Sequence, residues 1–316
     1  MTRLLMPLFV LLLLGCAPPA LLIRPVFDAD RLEEITVDRG GGAKIAVIPI
    51  DGMIANARGF NPLGPGENRL ALFQQQLDRA ARDSAVKAVV LRINSPGGTV
   101  TGSDAIYELV RRFREKSGKP VVASIQEVGA SGAYYVALAS DEIHAQPTSV
   151  VGSIGVIFNA VSIEGSLRML GVRTEAIKSG QMKDMGSPFH NLTEDERGIM
   201  QAMVDEYFGR FESLVANHRK LNGARLTAVT DGRVFSGAQG LEHGLIDQLG
   251  TLDDSIDRAR SLASVPKARA VMYRRPYSPG GSVYANAGDV APRATQINLI
   301  ETDLLMPSGF YYVWRP

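Results

Sequence analysis

The sequence predicts an α/β fold: a mostly parallel sheet flanked by helices on both faces. Short runs of β-branched and aliphatic residues alternate with longer stretches whose apolar positions recur every three to four residues. The strand runs, such as KIAVIPI at 44–50 and VKAVVLRI at 86–93, are apolar almost throughout rather than alternating, as strands buried on both faces are. In such sheets ligands gather at the carboxyl ends of the strands. Two glycine-bearing turns, at 95–98 and 129–132, fall at that rim.

The chain begins with a targeting pattern. Arg3 is followed by an apolar run from 4 to 14, with Pro7 inside it. Eleven residues of helix reach about 16 Å, roughly half a bilayer core, which suits an export signal and not a membrane span. The segment closes Leu13-Leu14-Gly15-Cys16, similar to the bacterial lipobox, in which the cysteine is lipidated and becomes the mature N-terminus. Residues 1–15 are therefore expected to be a lipoprotein-type signal. Residues 16–42, with Pro18, Pro19, Pro25 and three consecutive glycines, are expected to be a tether or a loosely docked arm. An anchored acyl chain would hold the protein to a membrane surface without spanning it.

A single domain over 43–274 follows. Strands are expected at 44–50, 86–93, 120–125, 142–145, 172–177 and 268–273, with helices at 69–82, 102–116, 131–140, 163–170, 193–221 and 251–263. Residues 126–130 read as a turn. Thr193 with Glu196 three residues on is a capping box that starts the long helix, whose stripe Ile199, Met203, Phe208, Phe211 and Val215 reads as core. Residues 275–316 change character: prolines and glycines first, then a cluster ending Phe310-Tyr311-Tyr312-Val313-Trp314, an arm that packs on its own domain or on a neighbour.

Composition narrows the chemistry. Across 316 residues, 34 Lys and Arg face 33 Asp and Glu, a net charge of +1, so nothing draws the chain to nucleic acid. Four histidines and one cysteine exclude a disulfide framework and a cysteine-rich zinc site. No metal or cofactor is called for, and catalysis falls to hydroxyl, amine or carboxylate groups. Ser131, between small residues at the head of a helical run, is a candidate nucleophile. Lys183, 52 positions on in a glycine-bearing loop, is a candidate general base if burial strips its proton. Asp184 would oppose that loss if it pointed inward, and is expected to point away. None of His144, His190, His218 and His243 has a context that favours it as the base. Taken singly, a serine at a helix start is most often a cap and a lone lysine a surface residue.

Five motifs in order raise that reading: INSPGG at 93–98, GASGAYY at 129–135, VGSIGV at 151–156, KSGQMKDMGSPF at 178–189 and DGRVFSGAQGLEHGLIDQLG at 231–250. Together they resemble the signal peptide peptidase A family, the Ser–Lys peptidases of the ClpP/crotonase superfamily, over residues 44–250. The resemblance implies repeated β-β-α units, Ser131 as nucleophile, Lys183 as base, Ser153 orienting the lysine amine, and an oxyanion hole from the amides of Gly98 and Gly132. It also implies hydrophobic or unfolded peptide substrates, remnant signal peptides among them. A homo-oligomeric ring or dome, an octamer in some members, is implied as well, each active site borrowing surface from its neighbour. Family members commonly carry a transmembrane helix, where this chain has Cys16; the expected location is the extracytoplasmic side of a bacterial envelope. Two other readings stay open: a catalytically silent peptide-binding scaffold, and a crotonase-type acyl-CoA enzyme, which would need no serine–lysine pair.

Overall fold

The protein is described from a computed structural model covering residues 31–57, 67–276, 282 and 309–314. Cys16, the signal segment and most of the tether lie outside the described residues.

Three long strands form the centre of the main sheet: β2 (Gly41–Asp51), β3 (Val86–Ser95) and β5 (Val121–Ala130), all parallel. The sheet continues in parallel through β6 (Glu142–Ala145) and β10 (Gln248–Leu249) on one side and β11 (Ala268–Arg274) on the other. Successive residues along β2 face opposite cores. Ala46 and Ile48 join the larger core, with α1 (Arg69–Arg82), α2 (Val100–Ser117) and α3 (Gly132–Ala137). Ile45 and Val47 face a smaller core, containing Leu252, Ile256 and Ala259 from a helix over Leu252–Leu262. This is the two-sided burial that the uninterrupted apolar runs require.

Four details depart from the sequence reading. The fold begins before residue 43. Strand β1 (Glu33–Asp38) pairs antiparallel with β11, so this part of the tether is an edge strand. It is fastened by Lys44, which donates to Glu34 and to Asp83 at 2.8 Å each. Burial works against that ammonium, but the bonds to Asp83 and Glu34 outweigh it and raise its pKa. Second, residues 126–130 are strand. The first half of β5 pairs with β6, and its second half gains a new partner, β7 (Val150–Gly152), in parallel register Ala130 to Gly152. Third, residues 172–177 form no strand. Ile177 is fully exposed, and β-branched residues without a ladder to join carry little strand preference of their own. Fourth, of the expected stripe on α5 (Glu194–Arg219), only Phe211 and Val215 are buried, while Ile199 is exposed. Here α5 is numbered after α4 (Glu164–Met169). Its capping box is formed as expected, Thr193 and Glu196 each bonding the other's backbone amide.

A second, small sheet sits at the rim. β4 (Gly97–Thr99) and β8 (Ile157–Asn159) are joined by β12 (Gly309–Val313), which lies between them, antiparallel to both. The aromatic tail thus packs on its own domain. Among the described residues no helix is long and apolar enough to cross a membrane.

Candidate active site

Strands β5 and β7 end side by side at the carboxyl rim, and each ends in a serine with left-handed backbone. Ser131 follows β5 with φ 53°, and Ser153 follows β7 with φ 51°. The two exits are tied together: the Ser131 amide donates to the Gly152 carbonyl at 2.7 Å, and the Ser153 amide to the Arg233 carbonyl at 2.7 Å. Positive φ in a residue with a Cβ costs on the order of 1–3 kcal/mol and persists only where the surroundings enforce it.

Ser131 is not a helix cap in the ordinary sense. A capping serine has extended backbone and its oxygen accepts from the first turn. Ser131 sits at φ 53°, ψ −117°, and its side chain makes no capping hydrogen bond to α3. The sharp strand-to-helix turn is instead the geometry of a nucleophile elbow. It is buried, along with Ser153.

Backbone amides converge on the same spot. A Cβ built on Gly132 would stand 3.1 Å from the Gly98 nitrogen and 2.2 Å from Ser103 Oγ. Gly98 is squeezed from the other side, where a Cβ would fall 1.8 Å from the Ile54 carbonyl oxygen. That crowding comes from a bridge: Ile54 donates to the Gly97 carbonyl, and Thr99 to the Ile54 carbonyl, both at 2.8 Å. Only glycine lets the backbone come so close. Sequence reasoning missed two buried serines that hold this turn: Ser95 Oγ accepts from the Gly97 amide at 3.1 Å, and Ser103 Oγ donates to the Thr99 carbonyl at 3.0 Å. The Ser-x-Gly spacing at 95–97 was the available signal for the first.

The structure therefore brings together Ser131, Ser153, Gly98 and Gly132, from four segments. No hydrogen bond joins Lys183 to them: it lies on a 3-10 turn (Gln181–Asp184), is exposed, and its ammonium makes no hydrogen bond or ion pair among the described residues. Asp184 does turn to other partners: its carboxylate takes Lys178 at 2.5 Å and lies 3.5 Å from His190. The bond from Lys178 holds its carboxyl below the usual range.

Asp184, His190 and Glu196 place one possible metal-ligand atom each within 4.8 Å of one another. Both ring nitrogens of His190, however, face backbone carbonyls, Nδ1 that of Asn191 at 2.9 Å and Nε2 that of Asp184 at 3.0 Å. Two carbonyls call for two N–H donors, which favours the imidazolium: the Asn191 carbonyl above all raises the ring's pKa, and the cluster reads as an ion network around it. His144 offers another false lead. Its ring meets Ser255 Oγ at 3.3 Å and Glu142 Oε2 at 3.2 Å, but Ser255 and His144 are wholly buried in the sheet with no access for a substrate.

Behind Ser131 stands Tyr135, on the first turn of α3. Its hydroxyl donates to Asp104 at 2.6 Å and accepts from Arg210 at 2.9 Å. Burial, reinforced by the Asp104 carboxylate, pushes that phenol well above its ordinary range and keeps it neutral.

Comparison with known proteins identifies the family. The model of peptidase family S49 matches residues 113–266. A candidate signal peptide peptidase, SppA, of Enterococcus faecium is 32% identical over 249 residues, 78% of this chain and 72% of that one. A candidate protease of Synechocystis sp. is 39% identical over 187 residues, 59% of this chain and 67% of that one. Protease 4 of Salmonella typhi is 34% identical over 224 residues, 71% of this chain but 35% of its own greater length.

Proposed function

The chain belongs to peptidase family S49 and is a serine protease, and from that premise we propose that it is a lipid-anchored endopeptidase with a Ser131–Lys183 dyad. The observation that carries the nucleophile is the backbone of Ser131: strained, uncapped and beside the converging Gly98 and Gly132 amides. An ordinary cap would have no reason to sustain that conformation.

In this reading Ser131 Oγ attacks the carbonyl carbon of an extended peptide and passes its proton to Lys183. The Gly98 and Gly132 amides hold the oxyanion that forms. The C–N bond then breaks, the amine leaves with the proton from Lys183, and an acyl ester remains on Ser131. Lys183 next takes a proton from water, whose oxygen attacks the acyl carbon; the bond to Ser131 Oγ breaks, Ser131 takes that proton back from Lys183, and the acid is released. Ser153 orients the amine. A lysine in water is protonated and cannot start this sequence; burial removes the proton. Because Lys183 is exposed in a single chain, this mechanism requires its burial against a second copy, in a homo-oligomeric ring where each copy lends the base to its neighbour. Ten large apolar side chains exposed between Ile157 and Ile199 are suited to that contact.

Substrates are hydrophobic or unfolded peptides, remnant signal peptides among them. The anchor is lipidated Cys16, on the extracytoplasmic face of a bacterial envelope. Fractionation of wild type and Cys16→Ser tests this: the variant is expected in the soluble fraction, and an unchanged membrane fraction refutes the anchor.

The dyad is tested by digestion of an unfolded, apolar-rich protein. Ser131→Ala and Lys183→Ala are each expected to lose about 10³-fold or more in rate. Co-assembly of the two variants is expected to restore part of it, because some sites then combine an intact serine with an intact lysine. Variants that cut as fast as wild type would sink the dyad; single losses without restoration would place both groups in one chain.

A further inference from the structure

The left-handed backbone of Ser131 has to be sustained from outside the turn, and two backbone bonds grip it. Its amide donates to the Gly152 carbonyl at 2.7 Å, and its carbonyl accepts from the Tyr135 amide at 2.9 Å. The first bond fixes the strand side of the turn and the second the helix side. Helix α3 spans six residues, too few to hold its own shape, because helices this short depend on packing. Whatever fixes Tyr135 therefore fixes the helix side of Ser131.

Two other helices hold Tyr135 at one atom. Its hydroxyl donates to Asp104 Oδ1 of α2 at 2.6 Å and accepts from Arg210 Nε of α5 at 2.9 Å. Arg210 also closes on Asp104 directly, Nη2 to Oδ1 at 2.6 Å and Nε to Oδ1 at 3.1 Å. The ring meets Tyr107 of α2 and Phe211 of α5 edge to face, with centroids 5.3 Å and 5.0 Å away. The neighbouring Tyr134 is tied elsewhere, its hydroxyl donating to the Leu245 carbonyl at 2.6 Å. As an ion pair alone, Arg210 and Asp104 add little, since their side chains are 49% and 34% exposed and exposed pairs are weak. Their hold on a wholly buried tyrosine matters more, because without them its hydroxyl would stay desolvated and unbonded.

Resting on the serine-peptidase reading, we propose that Asp104 and Arg210 are positioning residues: through the Tyr135 hydroxyl they hold the first turn of α3 and keep Ser131 in its left-handed conformation. Without the clamp Tyr135 moves, the Ser131 carbonyl follows, and the strained turn relaxes toward an ordinary helix start. Ser131 then leaves its place beside the Gly98 and Gly132 amides. The chemical step slows while peptide binding stays.

The test uses the full chain and a quenched apolar peptide, and compares wild type with Asp104→Ala, Arg210→Ala and Tyr135→Phe. Each variant is expected to lower kcat about 10–100-fold, the scale for a displaced reacting group, with KM unchanged. Tyr135→Phe keeps the packing and carries the test if an alanine variant does not fold. Asp104→Ala added to Tyr135→Phe is expected to cost nothing more, because the carboxylate acts only through the hydroxyl. Asp104→Asn, which keeps an acceptor for that hydroxyl, is expected to recover most of the rate. A crystal structure of Asp104→Ala needs no catalysis and is expected to show Ser131 outside the left-handed region. Unchanged kcat, additive losses in the double variant, or Ser131 unmoved in that crystal structure overturns the clamp and leaves a surface ion pair. A relaxed Ser131, in a protein whose wild type shows no Ser131-dependent hydrolysis, supports the clamp and removes the peptidase.

Discussion

At Gly98 a single atom decides the outcome. A Cβ there would overlap the Ile54 carbonyl at 1.8 Å, so β4 must shift and take with it the amide proposed as an oxyanion donor. Gly98→Ala is expected to lower kcat by about 10²–10³-fold, the usual effect of losing one such donor, and to lower the melting temperature as well. Peptide hydrolysis and a thermal melt on one preparation check both; unchanged kcat would show that the Gly98 amide does not face the oxyanion. That Ser131, Ser153, Gly98 and Gly132 would meet was legible only through the family motifs; the small residues around Ser131 marked it alone as a candidate. The strain was not, since φ is set by what the neighbouring strands enforce. Composition could not say that Ser131 is uncapped, and that is the fact that separates this serine from a common helix start.

The element that carries Lys183 is held by an ion network and not by a core. Between Ile157 and Ile199 large apolar side chains face outward, and His190 pins the segment instead. Its imidazolium is favoured by the Asn191 carbonyl first, then, against partial burial, by the Asp184 carbonyl and the Glu196 and Asp184 carboxylates, which raise its pKa above the ordinary 6.5. The bound form is the protonated one. Its contribution is therefore complete below 6.5 and is lost as pH climbs through the raised value. Amide exchange of residues 181–191, corrected for intrinsic rate, is expected to quicken as the pH climbs above 6.5 and to lose that dependence in His190→Gln. Identical profiles for variant and wild type would remove His190 from this role. Secondary structure was legible where a segment packs in the larger core. The helix at Arg69–Arg82 and the strand at Glu142–Ala145 match their expected bounds. It was misread at 172–177, where β-branched residues meet no strand, and at 126–130, where a glycine before Ser131 suggested a turn but β7 supplied a ladder.

For the whole molecule, the alternating run of strands and helices made the sheet legible, whereas the two ends were not. Nothing local announces that Glu33–Asp38 closes one sheet edge, or that Gly309–Val313 returns to the rim, because both depend on partners more than 200 residues away. The exposed apolar segment is read as the contact between copies. Met169→Glu with Ile177→Glu is expected to yield single chains by light scattering and to abolish hydrolysis, while Ser131 keeps its setting. Full activity in a monomer would refute the borrowed base. Strand β12 carries one more consequence. Because β12 is bonded to both β4 and β8, a chain that ended before Gly309 would leave each of those short strands an unpaired edge at the rim.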